Sequence, residues 1–419
     1  MKIKLYKKTK KEMLLEIVYV VLIFQIALQN SSNQIVSKIF NYVDDVIALI
    51  CLSYVIAGFL IGRKIYKSDK KILATYILFI ITGIIGTLWS TLQPFKIWIV
   101  DVFTCSKFIV GYLAVRMYLK KCSCDILKKS VLTITRIMVL IYFVLAIHDE
   151  VMNPFFPIFD YRLFGKSIQL FYPHPTYLAA ACIVFLLVLA VTNEERNNFI
   201  YMIMSSIIIV FTFRAKAISF VAIFWGLYLM IKVWKIKNKL IYAVVSVLLS
   251  FYLAYDQFAI YFMSGDWSAR AVLFTDAVGI AKKFFPFGAG FATFGTNMSV
   301  VSYSPLYYEL GYNKINGMSK LTASYLNDGF WQACLAQFGV IGVILFVALI
   351  YFLFRATLKY KISEIGAMRY FSILALNIYL IIASIGELSY FSPYALVYFI
   401  VLGVIFNEND KIVSKKLEK

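Results

Sequence analysis

Twelve apolar runs of roughly bilayer length recur along the chain, at 13–29, 43–61, 72–92, 97–115, 130–147, 176–192, 198–213, 216–231, 240–256, 329–354, 368–386 and 391–406, each bounded by charge or by Pro, Asn and Gly. One helical crossing takes about 20 apolar residues. Inside hydrocarbon only a helix or a closed barrel satisfies every backbone N–H and C=O. The 419 residues are 62% apolar and 15% charged, against about 45–50% and about 25% in a soluble domain, so a water-soluble globule is excluded. The expectation is all-α: a polytopic integral membrane protein, a single transmembrane domain over 1–419 with twelve helices.

The net charge of +20 would suggest nucleic acid in a soluble protein. Here the lysines cluster between the apolar runs, as in cytoplasmic loops beside anionic lipid, so no nucleic-acid partner is expected. With the amino terminus inside, 29 of the 42 basic residues fall in inside segments and eleven in outside ones. That asymmetry predicts a multi-pass protein with both termini cytoplasmic. The first run follows a basic stretch but ends in no small-x-small cleavage site, and reads as a retained anchor.

All six cysteines (Cys51, Cys105, Cys122, Cys124, Cys182, Cys334) fall in predicted spans or a cytoplasmic loop, so no disulfide is expected. Cys122 and Cys124 read as ordinary thiols, because no second pair or nearby histidine completes a metal site. Only two histidines exist, His148 and His174, and the expectation is chemistry with neither metal nor cofactor.

The connections are short except outside, where 148–175 and 257–328 form long loops; the second joins the ninth and tenth predicted spans. Functional residues favour such loops over a rigid scaffold. In the large loop Arg270, Leu273, Phe274, Ala277, Ile280, Ala281 and Phe284 recur at helical spacing, which puts Arg270 at the head of a face lying against protein or lipid. An interfacial helix whose arginine snorkels to phospholipid fits this pattern equally well. The sequence from Phe285 to Phe291 then breaks the helix with Pro286, Gly288 and Gly290.

In the other loop Arg162 and Gly165 precede Tyr172-Pro173-His174-Pro175-Thr176, which the prolines keep extended. A histidine such as His174, taken alone, is more often a loop residue satisfied by water than a catalyst. Between the seventh and eighth runs Arg214 and Lys216 occupy a turn so tight that both cations sit at the outer rim. Charge in hydrocarbon costs about 2.5–3.5 kcal/mol or more, so such residues face a cavity or a partner, or snorkel at the rim. Asp101 and Lys107 in the fourth run and Glu387 at the end of the eleventh pose the same question. Asp101 and Lys107 are six apart and do not share a helix face. The outer face thus gathers Arg162, Arg214, Arg270, Lys216, His174 and several carboxylates. Guanidinium forks suit phosphate oxygens, and a diphosphate at the membrane surface fits them.

These residues resemble the Wzy-type polysaccharide polymerase and O-antigen ligase superfamily over about 160–355. The pattern runs through Arg162, Gly165, Pro175 and Thr176 before Leu178-Ala179, then the turn Phe213-Arg214-Ala215. It continues through Arg270, the Pro286, Gly288, Gly290 and Phe294 turn, Asn327-Asp328-Gly329 and the run Gln337 to Gly342. Two positions depart: Asp328 stands near where ligases of the family carry a histidine, and Phe213 replaces the serine before the turn arginine.

The resemblance implies a GT-C-like oligosaccharide repeat-unit polymerase, a metal-independent glycosyltransferase of capsule, exopolysaccharide or O-antigen biosynthesis. Its partners would be undecaprenyl-diphosphate-linked oligosaccharides, as donor chain and acceptor unit, within membrane lipid and beside a flippase and a chain-length regulator. It assigns Arg214, Arg270 and Arg162 to the diphosphate with Lys216 in support, and Asp328 as base, with His174 or Glu387 in reserve. The competing readings are a ligase of the same superfamily, a lipid-linked oligosaccharide flippase or other transporter, and a peptidoglycan-type polymerase of the shape-and-division family.

Overall fold

The computed structural model describes residues 9–29, 33–120, 131–162, 165–235 and 268–417, with Leu127, Ile241 and Leu248 besides. The rest of the 240–256 run, the loop beginning at 257–267, Cys122 and Cys124 lie outside the described residues, as does the side chain of Arg162. Apart from one two-stranded hairpin, the regular elements of the described residues are all helices. Its first half comprises α1 (Lys10–Leu28), α2 (Gln34–Phe40), α3 (Val43–Leu60), α4 (Lys67–Ser90), α5 (Phe95–Leu119) and α6 (Leu132–Val151). The hairpin of β1 (Tyr161–Arg162) and β2 (Gly165–Lys166) leads to α7 (Pro175–Arg196), α8 (Phe199–Phe211) and α9 (Ala215–Tyr228). After the long loop's first part come α10 (Ala269–Lys283), α11 (Asn297–Ser302), α12 (Pro305–Glu309), α13 (Phe330–Leu358), α14 (Ile362–Ile365), α15 (Ala367–Gly386) and α16 (Pro393–Leu417).

Eight described stretches are long and apolar enough to cross a membrane: Gln34–Leu60, Lys67–Ser90, Phe95–Leu119, Leu132–Val151, Pro175–Asn193, Ala215–Val233, Phe330–Leu358 and Ala367–Gly386. The protein is therefore an all-α, polytopic, membrane-embedded chain. The 13–29 and 391–406 runs also fold as helices, α1 and α16. The 198–213 run forms α8, only 13 residues, or roughly 20 Å at 1.5 Å per residue, against a core of about 30 Å. It packs on α6, α7 and α9.

Burial orders the bundle. The apolar windows of α7 and α15 are 89% buried, that of α2 and α3 only 22%, so the first pair is central and the second faces outward. Around that centre α16 packs on α5 and α7, α13 on α4, and α9 on α15. The end of the bundle that carries residues 268–328 holds a small second core, in which Leu273, Ala277 and Ile280 of α10 meet Phe294, Tyr307 and Tyr312. The face expected of α10 holds for Leu273, Ala277, Ile280 and Ala281, which are buried, whereas Phe274 is 45% exposed. Its stripe is narrower than the spacing suggested.

α13 is broken at Gly339, whose φ of 63° and ψ of −166° interrupt the helix. The break is filled by chain rather than by solvent. Ala289 N–H donates to Ala336 O and Gly290 N–H to Gln337 O, both at 2.8 Å. A side chain on Gly288 would collide with the Gly339 backbone, and one on Gly290 with that of Thr87 in α4. The glycine turn, expected to end a helix, thus also locks the long loop between α4 and α13.

Candidate functional site

The site is built from four segments that the sequence keeps far apart. α8 and α9 are joined by a turn so tight that Phe213 takes a φ of 48°, a left-handed conformation uncommon for a bulky residue. That turn makes Arg214 the N-cap of α9 and puts Lys216 in its first turn. Lys216 Nζ lies 2.9 Å from Oε2 of Glu387, the C-cap of α15, and donates to Gly386 O at 3.4 Å.

Arg270, in the first turn of α10, donates through Nη2 to Asp328 Oδ2 at 3.1 Å. The two ion pairs adjoin: a Cβ on Gly386 would stand 3.6 Å from Lys216 Nζ and 3.9 Å from Arg270 Cζ. Gly386 thus leaves room for two cations over one helix end. Four of the sequence candidates, Arg270, Asp328, Lys216 and Glu387, come together here.

Arg214 and His174 form a neighbouring group. Arg214 Nη2 donates to Asp160 Oδ1 at 3.1 Å and to Ser167 Oγ at 3.2 Å, and its guanidinium lies 5.0 Å from the Phe159 ring centroid. The hairpin creates this arrangement by setting Ser167 against Asp160, with Ser167 N–H donating to Asp160 O at 2.8 Å. His174 packs edge-on to Phe159 at 4.4 Å and caps α7, its Nδ1 accepting from Thr176 N–H at 3.1 Å. An imidazole whose Nδ1 accepts carries its proton on Nε2, so in this state His174 is a donor rather than a base. Asp160 and Ser167 were not singled out from the sequence; Asp160 stands two residues before Arg162, and that proximity was the available signal.

Charge is distributed unevenly across this end. Arg214, Lys216 and Arg270 all sit at helix N-termini, where the helix dipole already presents positive charge, and each is held by a carboxylate. Among the described residues no side-chain cap satisfies the first N–H groups of α9 or α10. Together these make a ready anion site. Asp328 is partly buried, and burial pushes its carboxyl above the usual range. Arg270 and Lys216 oppose that rise and the neighbouring charge of Glu387 adds to it. Glu387 Oε1 is buried and has no hydrogen-bond partner among the described residues.

The two charges within the fourth apolar run, Lys107 and Asp101, have partners of their own. Lys107 Nζ lies 2.6 Å from both Asp44 Oδ2 and Asp45 Oδ1. Asp101, wholly buried, accepts from Ala292 N–H at 2.6 Å and Thr296 Oγ1 at 3.1 Å. Gln337 of α13 donates through Nε2 to that same Thr296 Oγ1 and to Phe294 O, both at 2.9 Å. Among the described residues no three His, Cys, Asp or Glu side chains converge as metal ligands. No family model matches the chain and no curated protein matches it.

Proposed function

We propose that the protein is a polysaccharide polymerase that transfers a lipid-diphosphate-linked glycan chain to a second lipid-linked repeat unit at the outer face of the bacterial plasma membrane. The observation that carries this reading is the meeting of Arg270, Asp328, Lys216 and Glu387 at one end of an apolar bundle. A charged lipid carrier needs such a place: hydrocarbon beside it for the polyprenyl tail, and paired cations at helix N-termini for the diphosphate.

In the proposed reaction the acceptor hydroxyl oxygen bonds to the anomeric carbon while the bond from that carbon to the diphosphate breaks. The diphosphate departs with the electron pair, and the hydroxyl proton passes to Asp328. Arg270 and Lys216 meet the charge growing on the leaving group, a stabilisation worth about 10²–10³-fold per donor. Arg214, two residues from Lys216 along the chain, and Asp160 bound the neighbouring space, where the second lipid-linked unit docks. Arg162, an expected diphosphate ligand, remains assigned by the resemblance alone. With twelve crossings and both termini cytoplasmic, as the charge asymmetry predicts, this end would face outside.

A broken helix such as α13 is a feature of transporters. Here the carbonyls freed near the break accept from Ala289 and Gly290, so the break holds a loop instead of an ion. The test is chain length together with sidedness. Arg270→Ala and Arg214→Ala variants that insert normally should make only single repeat units and accumulate lipid-linked units on the outer leaflet. Lipid-linked units trapped on the cytoplasmic face would identify a flippase, and normal-length polymer from the double variant would remove both arginines from the mechanism.

A further inference from the structure

We infer that Asp101, although it lies in α5 away from the ion pairs, is a positioning residue for Arg270 and Asp328, an inference that rests on the reaction proposed above. α10 and the first part of α13 lie side by side. They are joined at one end by the Arg270–Asp328 pair at 3.1 Å. At the other end they are joined through the glycine turn, by the bonds from Ala289 and Gly290 to Ala336 and Gln337. That second joint is anchored to the bundle by one carboxylate. Asp101 Oδ2 accepts the Ala292 N–H and the Thr296 hydroxyl, and Thr296 Oγ1 in turn accepts from Gln337.

Three segments, α5, the loop and α13, are thus tied at a single buried polar knot. Gln93 ties it again by donating to Ala292 O at 2.8 Å. The loop also makes close contact with α4, where Phe291 N–H donates to Thr87 Oγ1 at 2.8 Å. Because α10 and α13 are rigid, slack at this knot is carried along both helices to their starting ends. There it changes the separation of Arg270 from Asp328. A misplacement of about 1 Å far from the chemistry can cost about 10²-fold in rate.

The test uses full-length protein in lipid nanodiscs with two readouts. The first is phenylglyoxal modification of Arg270, followed by peptide mass spectrometry on the folded fraction. The second is turnover of lipid-diphosphate oligosaccharide extracted from the producing cells. Asp101→Ala should be modified at Arg270 several-fold faster than wild type. It should lose about 10²-fold in kcat with KM for the donor unchanged. Asp101→Asn keeps an oxygen for the Ala292 N–H and should return both values toward wild type. Wild-type labelling and kcat in folded Asp101→Ala would overturn the inference, as would an Asn variant no better than Ala. Should Asp101→Ala not fold, Thr296→Val opens the same knot from the loop side and must raise Arg270 labelling; unchanged labelling there overturns the inference equally. If the wild type transfers no sugar, the proposed reaction falls while the labelling comparison still decides positioning.

Discussion

The Lys216 ammonium and the Glu387 carboxylate stand 2.9 Å apart, and this contact joins the start of α9 to the end of α15 beside Arg270 and Asp328. The two partners act on Asp328 in opposite senses: the cation lowers its carboxyl pKa and the anion raises it. If ionised Asp328 is the working base, the acid limb of the rate profile follows that pKa. Lys216→Met removes the lowering charge and should move the acid limb to higher pH. Glu387→Gln removes the raising charge and should move it to lower pH. Rate profiles measured between pH 4 and pH 8 decide this, and shifts of the same sign in both variants would dissociate the pair from Asp328.

Asp328 holds Arg270 when no anion is present, so it competes with the diphosphate for that guanidinium. Asp328→Asn should therefore bind the lipid-diphosphate donor more tightly, with a lower KM, while losing about 10²–10⁴-fold in kcat as the proton acceptor disappears. Steady-state kinetics separate the two effects. A lower KM with unchanged kcat would leave Asp328 as a counter-ion only and transfer the role of base to Glu387.

Much of this site could be read from residue type and helical spacing, because charges beside long apolar runs are costly and so are placed for a reason. Lys216 and Glu387 were marked by that cost, Arg270 by its place at the head of a helical face in the long loop, and Asp328 by the family resemblance alone. Their pairing was not visible, since Lys216 and Glu387 are 171 positions apart and no local periodicity links them. Asp101 and Lys107 illustrate the same limit. Six residues apart on one helix, they were rightly read as unable to pair, yet the sequence did not indicate that one would hold a distant loop and the other two carboxylates of α3. The glycines at 288 and 290 were legible as a turn. Their second role, filling the break at Gly339, depends on backbone approach that only the folded chain displays.

That close approach gives a sharp contrast between two glycines. Gly290 has a φ of 86°, and a methyl group there would overlap the Thr87 backbone. Gly311 has a similar φ of 74° but open space around it. Gly311→Ala should cost about 1–2 kcal/mol, the left-handed penalty alone. Gly290→Ala adds overpacking of about 1–3 kcal/mol to the same strain, and should sharply reduce the yield of folded protein in detergent. Size-exclusion profiles and thermal midpoints of the two variants test this, and equal behaviour would show that the loop does not need its contact with α4.

At the end of the bundle opposite residues 268–328, a second set of charges serves stability. Arg116, its side chain 1% exposed, reaches Asp69 Oδ2 at 2.9 Å and Asp410 Oδ2 at 2.7 Å. The Tyr66 ring lies 4.0 Å from its guanidinium. Tyr112 donates to Asp69, and Lys359 and Tyr360 bind Asp410. The knot ties α4 and α5 to α16 just beyond the apolar part of that helix. Arg116→Met should cost about 3–5 kcal/mol, because Asp69 is left charged and buried without its partner. Adding Asp69→Leu should recover part of that loss, since an apolar replacement for both members removes the stranded charge. Acid gives an independent check. Burial pushes the Asp410 carboxyl up, but Arg116 and Lys359 outweigh it and hold the group below its ordinary value. A carboxylate lowered in the folded state contributes stability that is present above its unfolded pKa of about 3.9 and disappears as pH falls through the folded value. The thermal midpoint should therefore carry no Asp410 contribution to pH dependence between pH 6 and pH 8. Below about pH 4 it should fall less steeply in Asp410→Asn than in wild type. An Arg116→Met variant that melts with the wild type would show that α16 is held by apolar packing alone.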